Sequence, residues 1–393
     1  MYLLPKPKTI KEQDGQMLLC HSTHIVMTKE VAETEMHAAK RLQEAIRQET
    51  GLILPFSVGE VREGDLSLGI AKTLPEQTYE ITIDEKGGQI SGGDGAGVLY
   101  GVETFCQIVQ QCGGILPCVQ IQDAPDMPNR GYYFDQTRGR VLKLEELKKI
   151  ADRMCRYKLN QLQLYVEHTY LFRDFSEMWR DQTPLTAEEI LELDSYCRER
   201  HIELVPSLAS FGHLCTLLST KTYGDLCEME DSWKEPFSFW NRMRYHTINV
   251  SDERSLPLIK KMIAEYMQLF SSNKFNICAD ETFCLGKYKS KKLAEERGVH
   301  RLYIDYVKEL AQFLVENGKI PMFWGDIIWN SPELMKELPE SMICLNWGYA
   351  PEQREDETRA IAQTGAVQYL CPGVCGWNQW ANLIENSYKN ITR

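Results

Sequence analysis

Asp280 and Glu281 stand side by side at the end of a short apolar run, Lys274-Phe-Asn-Ile-Cys-Ala-Asp-Glu281. Residues Phe275 to Ala279 read as a buried strand. Two carboxylates where such a strand stops repel each other, and burial disfavours the charge of both. That placement is costly for packing and useful for acid–base chemistry. A solvated strand-to-loop junction is the plain alternative, so the surrounding elements must separate the two.

From residue 130 onward strands and helices alternate. Strands are expected at Gly131–Asp135, Gln161–Glu167, Glu203–Ala209, Phe275–Ala279, Pro321–Gly325, Met342–Trp347 and Val367–Cys371. Helices are expected at Leu144–Tyr157, Thr186–Arg200, Ser255–Phe270 and Arg301–Glu316, with a short terminal helix carrying Ile384 and Tyr388. The second of these opens on Thr186-Ala-Glu-Glu189, a capping box. Alternation of this kind predicts an α/β fold with a parallel sheet, and its repetition favours a (β/α)8-type TIM barrel. Seven strands are visible where a closed barrel needs eight. An unclosed sheet leaves two unpaired edges, which predicts a homodimer that covers them.

Barrel chemistry sits at the C-terminal ends of the strands. The residues there are Asp135, Glu167-His168, Ser210 to His213, Asp280-Glu281, Trp324, Asp326, Trp347, Tyr349 and Trp377. Each Trp alone reads as core. Together with the acids they suit a sugar, whose C–H faces pack on rings while its hydroxyls take polar partners. Asp135 and Arg138 are placed to pair beneath this rim.

The first 122 residues mix strand and helix. Val31–Thr50 has an apolar helical face; Leu66–Ile70 and Tyr79–Ile83 alternate as strands. Gln89 to Tyr100 reads as strand, glycine turn and helix, and its glycines do not form the dinucleotide-binding pattern. Pro117–Pro128 holds three prolines and reads as a connecting segment. The domains expected are a small α/β domain at 1–122, a linker at 123–129 and the barrel at 130–393.

Net charge is −12 with no basic run, which argues against nucleic acid and anionic membrane surfaces as partners. The first eight residues have no apolar signal-peptide core, and no apolar stretch is long enough to span a membrane. The 13 scattered cysteines fit reduced, buried thiols in the cytoplasm. No paired Cys motif marks a metal site, and none is expected.

At these residues the chain resembles glycoside hydrolase family 20, the β-N-acetylhexosaminidases, over nearly its whole length. Gly95 to Thr104 resembles a segment of the small domain that precedes the family's barrel; Asn129-Arg130-Gly131 through Arg138 resembles its first barrel strand. Ser210-Phe-Gly-His213 stands where the family has Pro-Gly-His. Ala279-Asp280-Glu281 matches the end of its His-x-Gly-Gly-Asp-Glu signature, with Asn276 for the His and Cys278 and Ala279 for the glycines. Glu167-His168 replaces an Asp-rich stretch.

The resemblance implies a substrate-assisted hydrolase of N-acetylhexosamine-containing glycans. Glu281 would be the acid and then the base, and Asp280 would orient the acetamido group. Arg130 would grip the outer sugar hydroxyls. Tyr349 would donate to the acetamido carbonyl, with Trp324, Trp347 and Trp377 as walls and Glu167 on the substrate side. His213 is either a charge relay to Glu281 or a structural histidine. Asp326 either binds a hydroxyl or caps the following turn. Glycoside hydrolysis needs acid, base and positioning, so no cofactor is implied. Two other readings stay open: a glycosidase without the acetamido requirement, and a sugar-binding protein with an incomplete barrel.

Overall fold

The computed structural model describes residues 1–352, 354–374 and 381–392. The chain forms two compact units. The first holds Met1–Tyr132 with Lys143–Leu162 and Glu192–Leu204; the second holds Tyr133–Leu142, Gln163–Leu191 and Val205–Arg393.

The first unit runs β1 (Thr9–Leu18), β2 (Ile25–Met27), α1 (Lys29–Thr34), α2 (Met36–Thr50), β3 (Phe56–Val58), β4 (Leu66–Ile70), β5 (Tyr79–Asp84), β6 (Gly87–Gly92), α3 (Gly95–Cys112) and β7 (Ile115–Asp123). Its mixed sheet has the order β1-β7-β5-β6-β4-β2-β3. Alternation puts Leu66, Leu68, Tyr79, Ile81 and Ile83 on a buried face. α3 packs against β5, β6 and α2 and is buried from Ala96 to Val109. The glycine-rich turn serves that packing: a Cβ on Gly97 would collide with the Thr78 carbonyl. Asp94 caps the helix, its carboxylate accepting the Gly97 N–H at 2.8 Å.

Two expectations change here. The helix expected over Val31–Thr50 breaks at Glu35, which leaves the helical region (φ −119°, ψ 27°), so α1 and α2 are separate. Pro117–Pro128 is connecting segment only in its second half. Its first half belongs to β7, which pairs antiparallel with both β1 and β5. Pro117 is tolerated because the register with β5 covers Val119–Asp123 and stops short of it.

The later elements are β8 (Gly131–Asp135), α4 (Leu144–Arg156), β9 (Gln161–Val166), α5 (Ser176–Trp179), α6 (Ala187–Arg198), β10 (Glu203–Leu208), α7 (Cys215–Leu218), α8 (Phe239–Arg244), α9 (Ser255–Tyr266), β11 (Lys274–Asn276), α10 (Lys291–Arg297), α11 (Val299–Glu316), β12 (Ile320–Trp324), β13 (Ile343–Gly348), α12 (Glu355–Ala362), β14 (Val367–Pro372) and α13 (Ile384–Thr392). β8 to β14 form one sheet in sequence order, the pattern of an incomplete TIM barrel. The capping box of α6 is made: Thr186 N–H donates to Glu189 at 2.9 Å and Glu189 N–H to Thr186 Oγ1 at 3.2 Å.

Among the described residues the sheet has seven strands, and β14 is an edge. On α13, Ile384, Tyr388 and Ile391 are exposed at helical spacing. No helix of the described residues is long and apolar enough to cross a membrane.

The strand expected at Phe275–Ala279 stops early. β11 ends at Asn276 because Cys278 (φ 58°) and Ala279 (φ 63°) take left-handed backbone that no strand accommodates.

Candidate active site

The turn after β11 is held from several sides. Ile277 N–H donates to Met322 O at 2.9 Å, Cys278 N–H to Asn276 Oδ1 at 2.8 Å, and Tyr303 Oη to Ala279 O at 3.0 Å. These bonds fix three left-handed residues, Cys278, Ala279 and Glu281 (φ 47°), each of which is strained for an L side chain. The turn folds the two acids back toward the loop that follows β10.

That loop presents His213. Phe211 stacks on Tyr303 at 5.7 Å and lies 4.3 Å from Tyr306, anchoring the segment. Gly212 passes close to the acid turn, where a Cβ would come within 2.6 Å of the Asp280 carbonyl oxygen. His213 follows, itself left-handed (φ 60°) and 2% exposed. Its Nε2 lies 3.3 Å from Asp280 Oδ2 and 3.3 Å from Glu281 Oε2. It aligns with neither as a hydrogen bond, so its positive charge meets both acids through space.

The charges follow from the packing. Burial works against charge on His213, but Asp280 and then Glu281 outweigh it and push its pKa up to about 10. Burial works to raise Asp280, but His213 and Arg138 override it and hold the carboxyl below its usual range. Asp326, after β12, goes the other way. Burial, then the Asp280 charge, pushes it up to about 8. Its Oδ2 accepts the Glu281 N–H at 3.0 Å.

Aromatic side chains lie at the neighbouring strand ends of the same unit. Trp324 at the end of β12 meets the Tyr133 ring edge-on at 4.9 Å, and Tyr133 Oη lies 3.0 Å from Ser207 Oγ. Trp347 and Tyr349 follow one another at 5.2 Å. Tyr349 is half-exposed and lies in the electric field of Arg138, Asp280 and Glu281. Arg138 sits 4.6 Å over the Tyr165 ring, donates to Asp135 Oδ2 at 2.7 Å and approaches Glu167 at 3.8 Å. An imidazolium against two carboxylates, with a buried guanidinium in their field and aromatic rings on the neighbouring strand ends, suits a polar ligand with apolar faces.

Two family models match the chain. Residues 1–124 match "Glycosyl hydrolase family 20, domain 2" and residues 128–382 match "Glycosyl hydrolase family 20, catalytic domain". The chain belongs to glycosyl hydrolase family 20. A Beta-hexosaminidase of Porphyromonas gingivalis is 24% identical over 411 residues, covering 95% of this chain and 50% of that protein. One from Vibrio furnissii is 26% identical over 310 residues, covering 71% of this chain and 48% of that protein. The chain thus spans about half the length of these curated relatives.

Among solved structures, the family 20 β-N-acetylhexosaminidase of Streptomyces coelicolor superposes with TM-score 0.79 at 18% identity, over 98% of this chain and 81% of that one. The Vibrio harveyi exo β-N-acetylglucosaminidase in complex with N-acetylglucosamine gives 0.77 at 19% identity, over 94% and 60%.

Within this family 20 fold, Asp280, Glu281, His213 and Asp326 come together. Trp324, Trp347 and Tyr349 lie on the strand ends of the same unit. Trp377 lies outside the described residues. Arg130 is a correction. It precedes β8, at the opposite end of the strands from the acids, and its guanidinium is spent on the Lys158, Met127 and Pro128 carbonyls and on Tyr100 Oη.

Glu167 is a second correction. It is 3% exposed, with Oε1 accepting from Tyr165 Oη at 2.9 Å and Oε2 from Arg242 at 2.9 Å. Burial works to raise it, but Arg242 and Arg138 hold it below the usual range. At this depth it serves Arg242 and Arg138 as a buried counter-charge.

Sequence reasoning valued Arg138 only as a partner for Asp135. Its place just past the C-terminal end of β8 was the available signal, since the strand-end rule favours it over Arg130. Arg242 lies on α8, a short helix inside the segment read as a long loop and far from Glu167 in sequence, and gave no signal at all.

Proposed function

We propose that the chain acts as an exo-β-N-acetylhexosaminidase, releasing terminal β-linked N-acetylglucosamine or N-acetylgalactosamine with retention of configuration. One observation carries the reading: Asp280 and Glu281 converge on the same nitrogen of His213. A retaining glycosidase with an enzyme nucleophile needs its carboxyls about 5 Å apart across the scissile bond. Two neighbours facing one imidazolium are arranged for work on one side. The nucleophile then comes from the substrate, whose 2-acetamido oxygen attacks the anomeric carbon.

Glu281 gives its proton to the glycosidic oxygen as the C1–O bond breaks and the acetamido oxygen bonds to C1. Asp280, kept ionised, accepts the acetamido N–H and stabilises the cationic ring that forms. Water then adds to C1 while Glu281 takes its proton, and the ring opens to product. Arg138 holds the outer hydroxyls in the place first given to Arg130. Tyr349 donates to the acetamido carbonyl, and Trp324 and Trp347 pack on the sugar.

The test is release of p-nitrophenol from the β-N-acetylglucosaminide and β-N-acetylgalactosaminide, with Glu281→Gln beside the parent. The expected loss in the variant is on the order of 10²–10⁴-fold. Equal turnover of the matching β-glucoside, which lacks the acetamido group, would favour the reading without substrate assistance. Binding of N-acetylglucosamine by a folded parent that turns nothing over would favour the sugar-binding reading.

A cytoplasmic location is also proposed, supported by free thiols at all the described cysteines and testable by cell fractionation. The exposed apolar stripe of α13 supports a homodimer, which light scattering at micromolar concentration decides.

A further inference from the structure

Asp326 has a different setting from the other rim acids. Trp324 N–H donates to Cys278 O at 2.9 Å and Gly325 N–H to Leu345 O at 2.9 Å, so the backbone leading to Asp326 is bonded to the acid turn on one side and to β13 on the other. Gly325 permits that approach: a Cβ there would lie 2.6 Å from Asn346 Oδ1 and 2.8 Å from Cys344 Sγ. From this fixed point Asp326 Oδ2 accepts the Glu281 N–H at 3.0 Å. Its other oxygen, Oδ1, is buried without a hydrogen-bond partner. Glu281 itself is left-handed at φ 47°.

We propose that Asp326 is the positioning residue of the acid: its carboxyl holds the Glu281 amide and so keeps that side chain aimed at the scissile bond. This replaces a direct contact with substrate hydroxyls and rests on the reading of Glu281 as the acid.

A fully ionised carboxylate is poorly suited to this place. The groups that face Asp326 are Asp280 and Glu281 from the acid turn, Tyr303 from α11 and Cys344 from β13. None is a cation, and His213 is already shared between Asp280 and Glu281. Asp326 is therefore neutral at pH 7, accepting the amide at Oδ2 and carrying its proton at Oδ1. Tyr303 binds the same turn at Ala279 O, so it braces the neighbouring residue without touching Glu281. Of these anchors Asp326 alone meets the acid's own backbone.

The test compares Asp326→Asn with Asp326→Ala on the full chain. Asn keeps a carbonyl oxygen for the Glu281 N–H and the neutral charge; Ala keeps neither. A misplaced catalytic group costs on the order of 10²-fold in rate. The expected result is a kcat loss of that order in Asp326→Ala with KM nearly unchanged, and in Asp326→Asn a kcat within about threefold of the parent below pH 8, as a conserved hydrogen bond and charge require. A KM rise shared by both variants would make Asp326 a substrate contact and overturn the proposal. So would full activity in Asp326→Ala.

A second readout needs no turnover. Because folding favours the protonated form of Asp326, parent stability falls as pH rises from about 4 to about 8, and Asp326→Asn removes that part of the fall. Urea midpoints at pH 5 and pH 8 measure it, and an unchanged slope overturns the neutral carboxyl. Should the parent turn over no N-acetylhexosaminide, the reading of function fails, while the titration still decides the state of Asp326.

Discussion

Glu103 in the first unit and the trio Asp280, Glu281 and Asp326 in the second are all carboxyls largely withdrawn from water, but their surroundings differ. Glu103 sits mid-helix in α3 at 2% exposure. Arg41 of α2 donates to Oε1, and the Cys155 thiol of α4 lies 3.4 Å from the same atom. One acid has one cation, and three helices are joined by it. In the second unit Asp280 and Glu281 share one imidazolium, with Arg138 nearby, while Asp326 faces no cation. One of the three must give up its charge, and the backbone carrying the pair is strained. A buried acid that serves the fold is compensated. One that serves chemistry is left partly unpaid, and the surrounding packing must bear the cost.

The comparison can be broken most directly through its two arginines. Arg41→Ala leaves Glu103 buried without its cation and should cost about 3 kcal/mol of stability, read by urea unfolding, with KM unchanged. Arg138→Ala should do the opposite, raising KM by on the order of tenfold or more as its hydroxyl contacts are lost, with a smaller effect on the unfolding midpoint. If Arg138→Ala unfolds the protein while KM stays fixed, Arg138 belongs to the compensated class and the contrast fails.

A smaller effect sharpens the charge account. His213 has a folded pKa raised from 6.5 to about 10, so its contribution to stability is complete below about pH 6.5 and lost as pH rises through about 10. Unfolding midpoints measured from pH 6 to pH 10 should decline, by on the order of a few kcal/mol in total. His213→Gln should flatten that decline, and a steady midpoint in the parent would show that the imidazole is not charged.

The smallest effect concerns the strained turn. Ala279 holds φ 63°, a conformation glycine adopts freely. Ala279→Gly should stabilise the chain by about 0.5–1 kcal/mol, once the relief of strain is set against the added freedom of the unfolded chain. A loss of stability there would mean that the Ala279 methyl packs better than its backbone suggests.

Much of the frame was legible. The strands at Leu66, Tyr79, Gly131, Gln161, Pro321 and Val367 announced themselves by period and by their bounding turns, and the capping box of α6 was readable at Thr186 and Glu189. The failures have definite causes. β11 ends early because left-handed backbone at Cys278 and Ala279 carries no signature in side chains that normally avoid it. β7 was read as partly connecting because Pro117 looks like a breaker until its register shows that it escapes the second ladder.

By itself the sequence determined the alternating frame, an acid pair following a buried apolar run and the aromatic residues past the strands, because hydrophobic period and strand polarity are local properties. Only the tertiary structure decided which arginine faces the acids, why Glu167 is occupied, and that His213 lies between Asp280 and Glu281 while Asp326 holds the amide beneath them. Those relations join residues far apart in the chain, and the charge each carries depends on neighbours that sequence distance does not reveal.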